Sequence, residues 1–435
     1  MKKFGALLLL TIGLATAASA EDDVTVESGV IEISTAGGRD LPIAIPRPKG
    51  SIDAVDEIWE VVRADLDRSG YFDVIDPDAY VEPLTAGIAL GEFNFMDWAL
   101  PDPVVLAKTG LGQSGDGMTA ELWVYDVPGK RKLGAKRFTA SGGSTRYVGH
   151  RISDEIILLV TGEPGIFTTK FAASNSSSGT KEISLVDIDG QGVTPITRNG
   201  SINLQPSWNA TGDRIAYTSY RSGNPDLYVA DLTNGKVHRI SSRSGVNMGA
   251  AWHPLGTSIV ATLSAGGSGG TDLFSLDPNN GAKLAQLTKA PGIDVSASFS
   301  PDGSQIAFSS ERSGGVQIYV MPSTGGDARR ITFQGGHNTD PAWSPTGDRI
   351  AFVGRDGHFD VFTVGVDGKG MERVTQDQGS NEDPCWSPDG RYLAFSSSRG
   401  GSENIWMSTA DGRHQTQVTT GGGWTNPSWS PRLSW

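Results

Sequence analysis

The chain has 435 residues, of which 49 are acidic and 36 are basic, and its formal net charge is −13. An acidic chain without a basic cluster is a poor candidate for binding nucleic acid or an anionic membrane surface. Its single cysteine, Cys385, excludes an internal disulfide, and its place beside Trp386 in a strand-like run favours a buried, unreactive thiol.

The first 20 residues have the three parts of a secretory signal peptide. Lys2 and Lys3 precede an apolar run at residues 4–14, and a small-residue cleavage motif ends at Ala20. The apolar run is well short of the roughly 20 residues that a membrane-spanning helix needs. We therefore expect cleavage after Ala20 and an exported, soluble product that does not insert directly into a membrane.

Residues 21–33, with the sequence EDDVTVESGVIEI, alternate apolar and polar side chains at a free end of the mature chain. Such an extended segment can add itself as a strand to the sheet of another protein. It can equally be an edge strand, or a frayed terminus, of its own domain. The pattern alone leaves both interpretations open.

Residues 34–162 lack any repeat and are predicted to form a small α/β domain. A helix is expected to begin at Ser51 and to end at Gly70, because the apolar side chains between them recur on one face. A second helix is expected at about residues 146–160, stopped by Gly162 and Pro164. Strand-like runs accompany the helices at residues 41–46, 104–109, 121–127 and 136–140.

From residue 208 onwards the chain repeats a motif in which an aromatic residue precedes a turn sequence. The aromatic residue recurs at intervals of 43 to 47 residues. Three further short apolar runs follow each of the first five aromatics, so one unit holds four strands, which is typical of a β-propeller blade. The copies are WNATG (208–212), WHPLG (252–256), FSPDG (299–303), WSPTG (343–347), WSPDG (386–390) and WSPRL (429–433).

The number of strands predicts how the ring closes. Three strand-like runs precede Trp208, at residues 165–174, 182–187 and 193–197, and they match the second, third and fourth strands of a blade. The missing first strand is supplied by residues 426–431 at the other end of the chain. We therefore predict an all-β, six-bladed propeller over residues 163–435, closed by the C-terminal strand, which leaves no open sheet edge.

The residues that begin each inner strand are expected at one rim of the central channel. Five of the six copies place Asn or Asp five residues before the aromatic, and the sixth places Trp424 there. A ring of amides and carboxylates can bind a partner, with Met248 and Trp424 as apolar anchors, whereas the alternative is that Asn and Asp merely begin turns. The candidate partner-binding residues are Asn203, Asn247, Met248, Asp294, Asn338, Thr339, Asp340, Asn381, Glu382 and Trp424.

Catalytic or metal chemistry is a weaker hypothesis. Asp340, Glu382 and Asp383 could converge on a hard cation such as calcium, which leaves a calcium-dependent propeller hydrolase or lactonase as the alternative function. The one G-x-S-x-G sequence, at residues 266–270, lies in a glycine tract rather than in a strand-to-helix elbow. We expect no catalytic residue, no metal site and no cofactor.

The order of these parts resembles the TolB family, the periplasmic component of the Tol–Pal system of Gram-negative bacteria. The resemblance covers essentially the whole chain. It is carried by DEIWEVVRADLDRSGYFDVID (56–76), by KRFTASGGSTRYVGHRISDEIILLVTGEPGIF (136–167) and by the repeats of the W-S-P-D-G-x-x-[IL]-A-F-S-S type.

The resemblance implies a periplasmic, non-catalytic binding protein, which we expect to be a monomer. Family members bind Pal, the peptidoglycan-associated lipoprotein, on the propeller, and some bacteriocins exploit the same face. They bind the inner-membrane protein TolA through the N-terminal segment, whose candidate residues here are Glu21, Asp22, Val24, Val26, Val30 and Ile31. The assembly supports outer-membrane integrity and constriction during cell division, and the two binding sites communicate.

Overall fold

The computed structural model of the chain describes residues 24–26, 40–100, 102–115, 117–140, 144–264, 270–376 and 378–433. Within these ranges an α/β domain is followed by six four-stranded sheets that form a β-propeller. The predicted fold class is therefore confirmed. None of the helices in the described ranges is both long and apolar enough to cross a membrane.

The N-terminal domain contains a six-stranded mixed sheet and two helices that share one hydrophobic core with it. Its elements are β1 Val24–Val26, β2 Leu41–Ala44, α1 Val55–Arg68, β3 Phe72–Val74, β4 Val105–Ser114, β5 Gly117–Asp126, β6 Arg131–Ala140 and α2 Thr145–Thr161. The strands lie in the order β1-β6-β5-β4-β2-β3. β2 runs parallel to β3 and β4, and the other neighbours are antiparallel.

Helix α1 begins at Val55, four residues later than the sequence predicted. The chain at Lys49 is still bonded to β4, because the Lys49 N–H donates to the carbonyl oxygen of Thr109 and its own carbonyl accepts from the Leu111 N–H. The residues after Lys49 must therefore turn away from the sheet before the helix can start. The second helix agrees with its prediction, and Gly162 ends it in the left-handed conformation with φ at 79°.

The propeller consists of six antiparallel blades, each with four strands. Blade one contains β7 Lys170–Asn175, β8 Glu182–Asp187 and β9 Thr194–Pro195, and blade two contains β10 Asn203–Trp208, β11 Arg214–Ser219, β12 Asp226–Asp231 and β13 Val237–Ser241. Blade three contains β14 Asn247–Trp252, β15 Ile259–Ser264, β16 Thr271–Leu276 and β17 Lys283–Gln286, and blade four contains β18 Asp294–Phe299, β19 Gln305–Ser310, β20 Gln317–Pro322 and β21 Arg329–Arg330. Blade five contains β22 Asn338–Trp343, β23 Arg349–Asp356, β24 His358–Gly365 and β25 Glu372–Arg373, and blade six contains β26 Asn381–Trp386, β27 Tyr392–Ser397, β28 Asn404–Thr409 and β29 Gln415–Gln417. The last strand, β30 Trp424–Trp429, returns to blade one.

The C-terminal strand closes the ring as the strand count predicted. β30 pairs antiparallel with β7, so that Trp424 lies opposite Asn175 and Trp429 lies opposite Phe171. The Trp429 indole Nε1 donates to the Thr169 hydroxyl at 2.8 Å, and its ring centroid lies 4.6 Å from that of Phe171. The closing contact is therefore both a backbone ladder and a packed aromatic pair.

Two of the repeated aromatic residues, Trp252 and Trp386, bond to the preceding blade. The Trp252 indole donates to the carbonyl oxygen of Ser207 in the preceding blade at 3.0 Å. The Trp386 indole makes the same contact with Ala342 at 2.9 Å. Burying a large ring between two sheets and satisfying its N–H there fixes the spacing of the blades.

Candidate docking face at the propeller rim

The inner strands begin at the rim, but their first residues are buried. The exposed fraction is 0% for Asn203, Asn247 and Asn381, 1% for Asp294, 3% for Asn338 and 5% for Trp424. These side chains therefore lie inside the structure. Their part in binding a partner, and that of the rim as a whole, stays a prediction.

The side-chain amides among these first residues are hydrogen-bonded to the preceding blade. The Asn338 amide nitrogen of blade five donates to Gln317 Oε1 of blade four at 2.9 Å and to the carbonyl oxygen of Gln334 at 2.8 Å. The Asp294 carboxylate forms an ion pair with Arg312 of its own blade at 3.1 Å. Because a buried polar group must be hydrogen-bonded, the amides link each inner strand to the blade before it.

A second repeated residue, which the sequence analysis did not assign, completes this link. A hydroxyl residue follows the fourth strand of each blade. In blade four the Thr332 hydroxyl donates to Gln317 Oε1 at 2.8 Å and accepts from the Ile318 N–H at 2.9 Å. In the sequence this residue is visible as a Ser or Thr that recurs after an aliphatic residue. Its role is to accept a hydrogen bond from a backbone N–H at the rim end of the third strand.

Four of the candidate residues remain accessible at the rim. Met248, Thr339 and Asp340 are partly exposed and Glu382 is exposed. Met248, Thr339 and Glu382 are the second residues of their inner strands β14, β22 and β26. In the described structure, the part of the candidate set that a partner can reach is therefore this second position, together with Asp340 next to it.

The third residue of every inner strand adopts a left-handed backbone conformation. The six residues, with φ between 50° and 64°, are Gln205, Gly249, Ser296, Asp340, Asp383 and Asn426. The register of each inner strand shifts at this point, so the bulge is repeated six times around the ring. Such bulges redirect side chains, and here all of these residues except Asn426 line a cavity of about 190 Å³ in the central channel.

Carboxylates dominate the chemistry of this channel ring. Ser296 donates to Asp340 Oδ1 at 2.7 Å, and the Asn426 amide donates to Asp383 Oδ1 at 2.8 Å. Burial and the charge of Asp383 raise the pKa of Asp340 to about 6. Burial, with the charges of Asp383 and Asp340, also raises the pKa of Glu382. The mouth of the channel is therefore acidic, and one of its acids titrates near pH 6.

In the described structure, the channel acids Asp340, Glu382 and Asp383 do not form a group of metal ligands within 4.8 Å of one another, so their arrangement does not favour the calcium-dependent hydrolase. Among the described residues, the group of three possible metal ligands within 4.8 Å of one another is His150, Asp187 and Asp189, at the junction of the domains. Arg146 and Lys170 form ion pairs with its two carboxylates. Basic side chains therefore already neutralise the carboxylates of that group.

Cys385, beside the channel, is a free cysteine that is partly buried, whereas the sequence favoured a buried one. Desolvation raises the pKa of its thiol to about 12. A thiol that stays protonated at neutral pH is a poor nucleophile.

The N-terminal segment is described only at Val24–Val26. These residues form β1, which pairs antiparallel with β6 at the edge of its own domain's sheet, with Val24 opposite Lys136 and Val26 opposite Gly134. Of the two interpretations left open by the sequence, the structure shows the edge strand. The other candidate residues, Glu21, Asp22, Val30 and Ile31, lie outside the described residues, and their binding of a partner stays a prediction.

Comparison with known proteins assigns the family. Residues 158–433 match the family described as the TolB β-propeller domain, and residues 29–133 match the family described as the TolB amino-terminal domain. The chain belongs to the TolB family. The match to the propeller family alone covers more than half of the chain.

Relatives and a solved structure agree with this assignment. The chain is 39% identical over 343 residues to "Tol-Pal system protein TolB" of Anaeromyxobacter dehalogenans strain 2CP-1, covering 78% of the chain and 66% of that relative. It is 39% identical over 211 residues to the protein of the same name from Geobacter sulfurreducens, covering 47% of each. The crystal structure of TolB from Acinetobacter baumannii superposes with a TM-score of 0.81 at 25% identity, covering 94% of this chain and 99% of that one.

Proposed function

We propose that the chain is a non-catalytic, periplasmic component of the Tol–Pal system. It binds Pal at the rim face of the propeller and TolA through residues 21–33, and it thereby supports outer-membrane integrity and constriction during division. Bacteriocins that exploit the family would dock on the same face. The observation that carries the proposal is the match of both domains to the TolB family, whose relatives are named as Tol–Pal system proteins.

The rim geometry supports binding of a folded partner such as Pal. The ring is closed by β30 and its inner strands are tied to the preceding blades by buried hydrogen bonds, so the rim is preorganised. Met248, Thr339 and Glu382 are accessible around the mouth. A rigid surface with a few accessible anchors is suited to protein binding, because little conformational entropy is lost on association.

Pal capture tests the rim. In the mature chain, Thr339→Arg combined with Glu382→Arg places two bulky cations at the second position of β22 and β26. We expect the affinity for the soluble Pal domain to fall by about tenfold or more, since a buried mismatch of charge or volume typically costs over 1.4 kcal/mol. Calorimetric titration measures the effect.

Asp327→Arg is the matched control for that variant. Asp327 is exposed in the turn between β20 and β21, at the opposite end of the ring, and its substitution should leave Pal binding unchanged. Full Pal affinity in the double variant would move the docking face away from this rim. Failure of the wild-type chain to bind Pal at all would contradict the proposed function itself.

Strand addition is the proposed mode of TolA binding. The pairing of Val24–Val26 with β6 supports it, because it means that this segment is competent to form a ladder. β1 is the edge strand of its sheet, so its side away from β6 is open to pairing with a partner strand. A TolA strand added there would extend the sheet of the N-terminal domain, which offers a physical basis for communication between the terminus and the rest of the molecule.

Deletion of residues 21–33 tests this second site. We expect TolA capture to be lost and Pal capture to persist, because the rim does not include the segment. Thr25→Pro is a milder variant that removes one N–H from the strand, and it should weaken TolA capture in the same direction. Loss of both partners on deletion would show that the two sites are not separate.

A further inference from the structure

A cationic cavity of about 610 Å³ opens at the rim end of blade three. It lies between the outer strands β15 to β17 and the loops that precede β14 and β18. Its lining includes three cationic side chains, Arg243, Lys283 and Lys289, against a single acid, Asp272. Such a cluster is unexpected in a chain whose formal net charge is −13.

Three other blades close the corresponding space with an arginine. This arginine lies two residues after the end of the second strand of its blade, and its guanidinium covers the aromatic ring of the third strand. The pairs are Arg221 over Tyr228 at 3.6 Å, Arg312 over Tyr319 at 5.1 Å and Arg399 over Trp406 at 4.3 Å.

Blade three lacks this arginine. When Ile259 is aligned with Ile215 of blade two, the equivalent position is Ala265, which lies outside the described residues. The aromatic residue of the third strand, Phe274, lines the cavity instead, and Lys283 lies over its ring at 4.4 Å. In blade three a lysine from the fourth strand therefore takes the place over the ring that an arginine occupies in the three other blades.

The cations of the cavity have no ion-pair partner in the described part of the chain. Arg243 Nη1 donates to the neutral Ser241 hydroxyl at 3.2 Å. The carboxylate of Asp272 is buried and accepts from Gln286 Nε2 at 2.9 Å, and it forms no ion pair with any of the three cations. Three exposed cations against one acid leave an excess of positive charge at this opening, and an anion placed between the cations relieves their mutual repulsion.

We infer that the cavity of blade three binds a small ligand that carries two or more carboxylate or phosphate groups. Arg243 suits bidentate binding of either anion, and the two lysines act as point charges. The volume lies within the range of small-molecule sites. This inference does not depend on binding of Pal or TolA.

Titration of the mature chain with citrate and with pyrophosphate tests the inference. We expect saturable binding of one anion per chain, weakened by raising the salt concentration because the attraction is electrostatic. The anion that binds more tightly identifies the group that the site prefers. Lys289→Ala should weaken binding by about tenfold, which is the order of one lost charge-assisted contact, and Lys289→Arg should largely retain it.

Lys236→Ala is the matched control. Lys236 is an exposed lysine in the turn after β12, at the other end of its blade, and its removal should leave anion binding unchanged. Absence of saturable binding by both anions would overturn the inference, as would equal affinities of the Lys289→Ala and Lys236→Ala variants. Loss of Pal capture in Lys289→Ala, without anion binding to the wild type, would instead make the cavity part of a protein interface and would equally overturn it.

Discussion

At the residue scale, Asp340 and Asp383 occupy the same position in two successive blades but have different surroundings. Asp383 accepts from the backbone N–H and the side-chain amide of Asn426, and also from the Ser396 hydroxyl. Asp340 accepts from the Ser296 hydroxyl and is partly buried close to Asp383. Desolvation and the charge of Asp383 therefore disfavour the ionised form of Asp340.

The substitution Asp340→Asn should stabilise the protein at neutral pH. With a pKa of about 6 in the folded state, above the ordinary value, Asp340 holds its proton more tightly when folded. Its contribution to the free energy of unfolding is complete at low pH and is lost as the pH rises from about 4 to about 6, by at most about 3 kcal/mol. Asparagine removes this loss and tolerates the left-handed backbone. Denaturant unfolding at pH 4 and pH 7 measures the difference.

Asp383→Asn is the control at the residue scale. An amide cannot accept all the hydrogen bonds that the Asp383 carboxylate accepts, so this variant should be less stable than the wild type at pH 7. The account of the channel would be contradicted if both variants shifted stability in the same direction.

At the element scale, β30 is the strand on which the ring depends. It is the first strand of blade one although it is last in the chain, and its contacts with β7 join residues about 250 positions apart. Trp429 anchors it, with 7% exposure and with its indole and ring both engaged.

Replacement of Trp429 tests the closing strand. Trp429→Ala removes the packed ring and the hydrogen bond to Thr169, and we expect the free energy of unfolding to fall by about 3–5 kcal/mol. Trp123→Ala serves for comparison, because Trp123 is only partly buried in the sheet of the other domain and should cost less. Chemical denaturation measures both. Equal losses would mean that closure adds nothing beyond the burial of an indole.

At the scale of the whole molecule, the two domains share one hydrophobic core. Residues of α1, α2 and blades one and six belong to a single buried cluster. The Tyr392 hydroxyl of blade six donates to the carbonyl oxygen of Ser69, at the end of α1, at 2.6 Å, and Arg391 lies 3.7 Å from the centroid of Tyr71. The junction is therefore packed and bonded. The exact boundary, expected at residues 162 and 163, stays a prediction.

Tyr392→Phe tests the junction. The substitution leaves the ring in place but deprives the buried Ser69 carbonyl of its donor, so we expect a loss of about 1–2 kcal/mol and a single unfolding transition at a lower temperature. Tyr217→Phe is matched to it, because the Tyr217 hydroxyl in blade two makes no hydrogen bond within the described residues and its loss should be nearly neutral. Calorimetry distinguishes the two, and equal effects would contradict a role for the bond.

The sequence by itself determined the blade and the ring. Each blade is a local unit whose strands follow one another along the chain, so its apolar runs and turns can be recognised in one copy and counted in the others. Trp429 was assigned to blade one in this way. An unmatched inner strand at the C-terminal end of the repeats and three unmatched strands before the first repeat together make one complete blade. The same repetition carried the resemblance to the family.

Only the tertiary structure decided what the repeated residues do. Asn338 is a rim residue by position, but its amide is buried because it donates to Gln317 of the preceding blade and to the carbonyl oxygen of Gln334. The left-handed backbone of Asp340, the start of α1 after Lys49 and the pairing of β1 with β6 likewise depend on contacts with distant segments. A repeat pattern fixes which side chains lie at equivalent places, whereas burial and charge at each place are set by neighbours that differ from blade to blade.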